Sequence, residues 1–182
     1  KYGIEPMDAS AWEMGNIRPA NHPVLRLAQA AQFFTQDEFV MARTMACRTE
    51  GDIRTLFCIE ASPYWRTHHV PGAASDESPK RLGAFKAHII GINLVAVLQF
   101  AYGSSTGDER LRDSALSLLE RLPAEDNRFM RAWQQTGVPI RNAFESQALL
   151  QLATEYCAAK RCAECPVGRR ILRTCDSEKQ AD

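Results

Sequence analysis

The chain has 182 residues, enough for one domain of ordinary size with a sizeable buried core. Hydrophobic residues make up 45% and charged residues 24%, which excludes a disordered or collagen-like chain. Lysine plus arginine and aspartate plus glutamate number 22 each. This balance excludes a protein coated in basic residues, although it allows a local basic patch.

The N-terminal residues and the apolar runs predict a fragment from the cytoplasm with no membrane partner. Lys1–Pro6 lacks the apolar segment of a secretory leader, and a start at lysine is expected for a piece of a longer protein. The most apolar run, Ile89–Tyr102, has roughly 14 residues, fewer than the roughly 20 that span a bilayer. The six cysteines are unevenly spaced, which favours free thiols in a reducing compartment over a disulfide framework.

Start signals for three helices occur in the first third of the chain. Asn21 is expected to cap a first helix, with Pro23 in its first turn and apolar residues at helical spacing after it. Thr35–Glu38 has the form of a capping box and predicts a second helix through Ala46. Asp52 is expected to begin a third, short helix.

A long irregular stretch and four helical patterns follow. Ser62–Leu82 is interrupted by prolines and a glycine and breaks helical periodicity. Phe85–Tyr102 is typical of a buried apolar helix, and Asp108–Leu122 of an amphipathic one. Asp126 is expected to cap a short helix, and Asn142–Ala159 to form a further long helix. No run alternates in a way that requires a strand.

These patterns predict an all-α fold. About seven helices would pack around the central apolar helix Phe85–Tyr102, with a cysteine-containing loop at the C-terminal end. The sequence shows no repeat of fixed period. We expect a single helical domain over residues 1–182, forming the C-terminal part of a longer protein.

Cysteines near the C-terminus are the strongest chemical signal. The candidate metal ligands are Cys157, Cys162, Cys165 and Cys175. The first three follow a C-x4-C-x2-C spacing, and thiolates in such a pattern suit zinc or iron–sulfur iron. His68 or His69 is an alternative fourth ligand. The run Cys162–Val167 resembles part of the iron–sulfur loop of bacterial DNA glycosylases of the endonuclease III type, with Ile171 where these have a further cysteine. The other interpretation leaves free thiols that pack as small apolar groups or oxidise.

Arginines at two places are candidate anion-binding residues. They are Arg18, Arg26, Arg169 and Arg170. The first two flank the predicted start of the first helix, a favourable place for phosphate or carboxylate; otherwise they form a rigid turn and pair with a nearby acid. Between Cys157 and Cys175 there are five basic residues and one acidic residue. Arg169 and Arg170 therefore lie in a basic segment that is suited to phosphate. The alternative there is a solvated helix face.

No recognisable catalytic set occurs in the chain. We find no glycine-rich phosphate loop, no serine nucleophile elbow and no HExxH pair. In the long irregular stretch, Trp65, His68 and His69 could bind a base or a metal, or could dock an aromatic ring onto the core. We expect no enzymatic activity from this fragment on its own.

Six segments, taken together, resemble one family. They are Lys1–Met7, Arg18–Gln29, Phe100–Gly103, Leu122–Asn127, Ser146–Leu152 and Tyr156–Cys165. In this order they resemble the C-terminal half of domain of unknown function family 2851 (DUF 2851), found mainly in Bacteroidetes. The resemblance implies an N-terminal half with acidic and Glu-x-His elements similar to a restriction-endonuclease-type nuclease core.

Two functions of different classes follow as hypotheses. In the first, this chain is a non-catalytic accessory domain that binds nucleic acid beside a nuclease-like N-terminal half of the same protein. The basic C-terminal segment, Arg18 and Arg26 would then contact phosphate. In the second, the chain is a structural or protein-interaction module with no nucleic-acid role, and the cysteines stabilise the fold.

Overall fold

The computed structural model describes residues 3, 5, 8–11, 21–36 and 38–171. Helices make up 66% of the described residues, which confirms the all-α prediction. The chain divides into two compact units, Lys1–Gly91 and Ile92–Asp182, each described here by itself. The single domain over residues 1–182 stays a prediction, because compactness alone does not show whether a unit folds independently.

The first unit contains four α-helices, a short hairpin and two short 3-10 turns among the described residues. They are the turn Ala9–Ala11, α1 (Pro23–Gln36), α2 (Val40–Ala46), α3 (Glu50–Phe57), the turn Pro63–Thr67, β1 (His68–Val70), β2 (Ala73–Ala74) and α4 (Ala84–Ile90). α3 contacts α2 and α4, and α1 contacts β1. The core is apolar, with Leu25, Ile53, Leu56 and Ala87 buried. A Cβ on Gly91 would lie 2.6 Å from Cδ1 of Ile53, so the glycine allows close packing on α3.

The predicted helix starts are confirmed for α1 and wrong for the next two helices. α1 begins at Pro23, which lies in its first turn as predicted. The predicted Asn21 cap is wrong, because the Val24 amide donates to His22 Nδ1 and Asn21 Oδ1 accepts from Arg26 instead. The helix continues through Thr35, whose hydroxyl donates to the Gln32 carbonyl and does not cap a new helix. The capping box belongs to α3 instead. There Thr49 accepts from the Asp52 amide, and the Asp52 carboxylate accepts from the Thr49 amide. Thr35–Glu38 and Thr49–Asp52 both place a carboxylate three residues after a threonine, so the local pattern alone does not tell which of them begins a helix.

The irregular stretch contains a hairpin that periodicity did not reveal. β1 and β2 pair antiparallel, with Val70 opposite Ala73. Pro71 and Gly72 occupy the two central turn positions, and Gly72 has φ 77°, a left-handed conformation that glycine adopts without steric cost. A strand of two or three residues is too short to show an alternating pattern.

The second unit continues the helix that begins with α4. A π-helical segment, Gly91–Ala96, leads into α5 (Val97–Thr106). The elements that follow are α6 (Glu109–Arg121), α7 (Arg128–Gln135), α8 (Ala143–Gln151), a π-helical segment (Leu152–Cys157) and a helical turn at 166–171. α6 packs on α5 and α8, and α7 packs on α8. Buried Leu118, Leu122 and Met130 contribute to this core.

Two helix caps in the second unit test the sequence predictions. Asp108 caps α6 by accepting from the Leu111 amide, which confirms the predicted start. Asn127, not Asp126, caps α7: its side chain accepts from the Phe129 and Met130 amides. The Asp126 carboxylate instead forms an ion pair with Arg131 at 2.8 Å.

Ala84–Thr106 forms 23 successive helical residues, longer than the apolar run identified in the sequence. By length and composition alone it could cross a membrane. A third of its most apolar window is buried inside the protein, and core helices of soluble proteins meet the same criteria. The observation therefore does not assign the helix to a membrane.

Candidate anion-binding site

Four basic side chains of the first unit lie near one another where α1 begins. We call His22, Arg26, His69 and Lys80 the basic cluster. Packing of α1 against β1 brings them together although they are distant in sequence. The Gln29 side chain links two members: its Oε1 accepts from Arg26 Nη1 at 2.7 Å, and its Nε2 donates to the Lys80 carbonyl at 2.9 Å.

Arg26 is held by neutral groups. Its Nη2 donates to Asn21 Oδ1 at 2.6 Å, and its Nη1 to the Gln29 amide oxygen. Partial burial lowers the pKa of Arg26 from its ordinary value. Among the described residues no carboxylate pairs with it, so the pairing with a nearby acid that we weighed from the sequence is not seen there. Arg18, its predicted companion, lies outside the described residues.

Lys80 is a buried cation. The residue is 4% exposed, and its Nζ donates to the Ser78 hydroxyl. Its carbonyl accepts from Gln29 Nε2 and from the Ala61 amide, which fixes the backbone at this position. Burying an ammonium group with only neutral partners costs free energy. Sequence reasoning missed Lys80, because nothing in its local pattern distinguishes it from a surface lysine.

Two acids of the first unit, Glu60 and Asp52, are engaged elsewhere. Glu60 Oε1 pairs with Arg66 Nε at 2.8 Å, and Asp52 completes the α3 capping box. Within the described part of the chain, no ion pair includes a member of the basic cluster. The cluster therefore carries positive charge that an external anion could neutralise.

The pKa of His69 depends on the charge of the cluster. Partial burial lowers the pKa of His69, and the nearby charges of Lys80 and His22 lower it further. Both influences favour the neutral form of the imidazole. An anion bound beside it would act in the opposite direction and raise that pKa.

The predicted cysteine ligands occupy a tight turn in the second unit. Cys157 and Cys162 are exposed and Cys165 is buried. Amides of Glu164 and Cys165 donate to the Arg161 carbonyl, and a Cβ on Gly168 would overlap the Cys162 carbonyl, so only glycine fits there. The part of the chain that the structure describes contains no group of three or more His, Cys, Asp or Glu residues placed to hold a metal.

The four-cysteine site, with zinc or iron–sulfur iron, stays a prediction. Its fourth ligand, Cys175, lies outside the described residues. Of the alternative ligands, His68 stacks on Tyr64 at 4.1 Å between ring centroids, and its Nδ1 lies 3.0 Å from the Tyr64 carbonyl. The Trp65 ring meets Tyr64 edge-on at 5.4 Å. These aromatic side chains pack on one another within the loop.

One arginine of the basic C-terminal segment is engaged in an ion pair with the segment's single acid. Arg161 pairs with Glu164 through Nε at 2.9 Å and through Nη2, and its guanidinium lies over the Tyr156 ring. Arg169 and Arg170 are exposed on the helical turn that follows. The two predicted phosphate ligands are therefore accessible to a large anion.

Comparison with known proteins identifies the family. The family model described as a protein of unknown function, DUF2851, matches residues 1–128. The chain belongs to the DUF2851 family. This match confirms the family predicted from the sequence, while the assignment to the family's C-terminal half stays a prediction. The family's description assigns no activity. No curated protein and no solved structure matches the chain.

The residues that match the family model include the basic cluster but not the candidate site in the C-terminal segment. The basic cluster lies wholly within the part that matches DUF2851. The cysteine turn and Arg169 and Arg170 lie beyond residue 128, so membership of the family does not bear on them. Arg26 was predicted from its place beside a helix start, whereas His22, His69 and Lys80 join it only in the folded chain.

Proposed function

We propose that this DUF2851 chain is a non-catalytic accessory domain that binds nucleic acid, and that the basic cluster receives a backbone phosphate. The main support is the pair Arg26 and Lys80, a half-buried and a buried cation with only neutral partners among the described residues. A phosphodiester supplies the missing negative charge without requiring a particular base.

The hydrogen-bonding capacity of the cluster suits phosphate. A guanidinium has five N–H donors and Arg26 uses two, while an ammonium has three and Lys80 uses one. The remaining donors can bond to phosphate oxygens with charge assistance. The start of α1, a helix of 14 residues, adds the positive end of its dipole.

The C-terminal basic segment supplies a second set of contacts in this proposal. Arg169 and Arg170 are exposed, and Lys160 lies in the preceding turn. Exposed cations of this kind contribute affinity that depends on salt and not on sequence. The nuclease-like N-terminal partner, the cytoplasmic location and the Bacteroidetes origin stay predictions.

Arg26→Ala tests the proposal. We expect the variant to bind a fluorescent oligonucleotide about tenfold more weakly at low salt, because it loses a charge-assisted contact. The slope of log affinity against log salt should fall in magnitude by about 1. Fluorescence anisotropy over a range of salt concentrations, with single- and double-stranded probes, measures both quantities.

Arg131→Ala is the matched control. Arg131 is exposed and pairs with Asp126, so the variant loses the same charge at a residue that is not part of the cluster and should keep the wild-type slope. Failure of the wild-type chain to bind either probe at low salt would contradict the proposal. Equal oligonucleotide binding by Arg26→Ala and wild type would show that the basic cluster is not the phosphate-binding site.

A protein-interaction module is the second candidate, favoured by exposed apolar side chains on one helix. Leu94, Val97 and Phe100 are 43%, 58% and 44% exposed. Apolar residues grouped on a surface are typical of a protein-binding face. Binding to such a face would depend little on salt, unlike binding to phosphate.

A further inference from the structure

We propose that a second cleft of the first unit, between the end of α3 and the start of α4, binds a phosphate-type oxyanion. The cleft has a volume of about 310 Å³, within the range of small-ligand sites. Arg54, Thr55, Cys58 and Arg81 are among its lining residues. It is separate from the basic cluster in its residues and does not depend on the function proposed for that cluster.

Two guanidinium groups give the cleft its charge. Arg54 and Arg81 both line it, and among the described residues neither has a carboxylate within ion-pair distance. Glu60, which faces Arg81 across an isolated β-bridge, has its carboxylate engaged by Arg66 at 2.8 Å. Two uncompensated positive charges in one concave site favour an anionic ligand.

Arg81 is held in place for this role. Its Nε donates to the Cys58 carbonyl at 2.6 Å, which fixes the plane of the guanidinium while both terminal nitrogens stay available. A planar fork of donors fits two oxygens of a phosphate. Arg54 lies on α3 one turn before Cys58 and can supply donors from the other wall of the cleft.

The rest of the lining is mixed, with the Thr55 hydroxyl beside apolar Leu82 and Ala84. Thr55 contributes a hydroxyl that can donate to an oxyanion. Gly83 also lines the cleft, and a Cβ built on it would meet no atom within 4 Å, so the approach to the arginines is open. Phosphate can reach such a site as a free ion or as part of a nucleic acid, and the shared group is the phosphate oxyanion.

Alkylation of Cys58 tests the site. The thiol lines the cleft and is partly exposed, so a bound anion should shield it from iodoacetamide. We expect inorganic phosphate, compared with chloride at equal ionic strength, to slow modification about tenfold at about ten times its Kd. Peptide mass spectrometry follows each cysteine separately, and the exposed Cys157 and Cys162 serve as internal controls whose rates should not change.

Two variants separate this site from the basic cluster. Arg54→Gln replaces an exposed side chain and should abolish the protection, whereas Arg26→Ala should leave protection by inorganic phosphate intact. Protection by inorganic phosphate would identify the ligand as a free ion, and protection by an oligonucleotide alone would identify it as a nucleic-acid phosphate. Either result supports the site if Arg54→Gln removes the protection. Equal alkylation rates in every arm, or protection that survives Arg54→Gln, would overturn the proposal.

Discussion

Replacing Lys80 with methionine is expected to weaken nucleic-acid binding about tenfold or more while it raises the free energy of unfolding. The two effects have one cause. Lys80 is 4% exposed and its ammonium group has a hydroxyl, not a carboxylate, as its hydrogen-bond partner. Replacing a buried ion pair by apolar residues of similar volume often stabilises a protein by about 1–4 kcal/mol, and we expect the same direction for this poorly compensated charge. Removing a charge-assisted contact to phosphate costs about 1.5–3 kcal/mol of binding.

Chemical denaturation and a salt titration of binding measure the two effects on the same Lys80→Met protein. Lys86→Met, at an exposed position of α4, loses the same charge and should change neither quantity by much. A purely structural Lys80 would give the reverse result: lower stability with unchanged binding. That combination would exclude Lys80 from the phosphate site.

Replacing Gly103 with alanine is expected to lower the free energy of unfolding by about 1–3 kcal/mol. α5 and α6 approach closely at this glycine. A Cβ on Gly103 would lie 2.8 Å from the Asp108 carbonyl oxygen and 3.0 Å from the Arg112 amide. Because both are backbone atoms at the capped start of α6, they cannot rotate away, and the two helices would have to separate.

Gly51→Ala is the matched control for Gly103. Gly51 lies in α3, and a Cβ there would meet only the Thr49 hydroxyl at 3.5 Å. With room for the methyl group, the better helix propensity of alanine should raise the free energy of unfolding by about 0.5–1 kcal/mol. Thermal unfolding of both variants and of the wild type measures these changes in stability. Unchanged or higher stability of Gly103→Ala would mean that α5 and α6 are less tightly packed than the structure shows.

Helices and several of their ends could be predicted from local sequence. Pro23 and Asp108 mark the starts of α1 and α6 because first-turn proline and side-chain capping act within one turn. The capping box predicted at Thr35 is wrong, because α1 runs through this residue and its hydroxyl donates to the Gln32 carbonyl. At Asp126 and Asn127 two capping residues are adjacent, and composition does not say which one accepts the amides.

The candidate site could be predicted only in part. Arg26 was identified because its position beside a helix start is a local feature. His69 and Lys80 reach the same place through the packing of β1 on α1 and through Gln29, contacts that link distant parts of the chain. His69 was instead considered as a metal or base ligand, because its loop neighbours gave no sign of Lys80.

The cysteine spacing predicted a turn more securely than a metal site. A C-x2-C pair next to Pro166 indicates a reversal of the chain, and the Cys162–Cys165 segment forms one. Whether thiolates meet one ion depends on side-chain placement and on Cys175, which spacing alone does not determine.

The central claim is that the basic cluster binds backbone phosphate, and the pKa of His69 tests it most directly. Partial burial and the charges of Lys80 and His22 lower this pKa in the free protein. An NMR titration of the His69 imidazole with pH, with and without a saturating oligonucleotide, should show the pKa rising on binding. Arg26→Ala at the same oligonucleotide concentration should show a smaller rise. An unchanged His69 pKa in the saturated wild-type complex would contradict the claim.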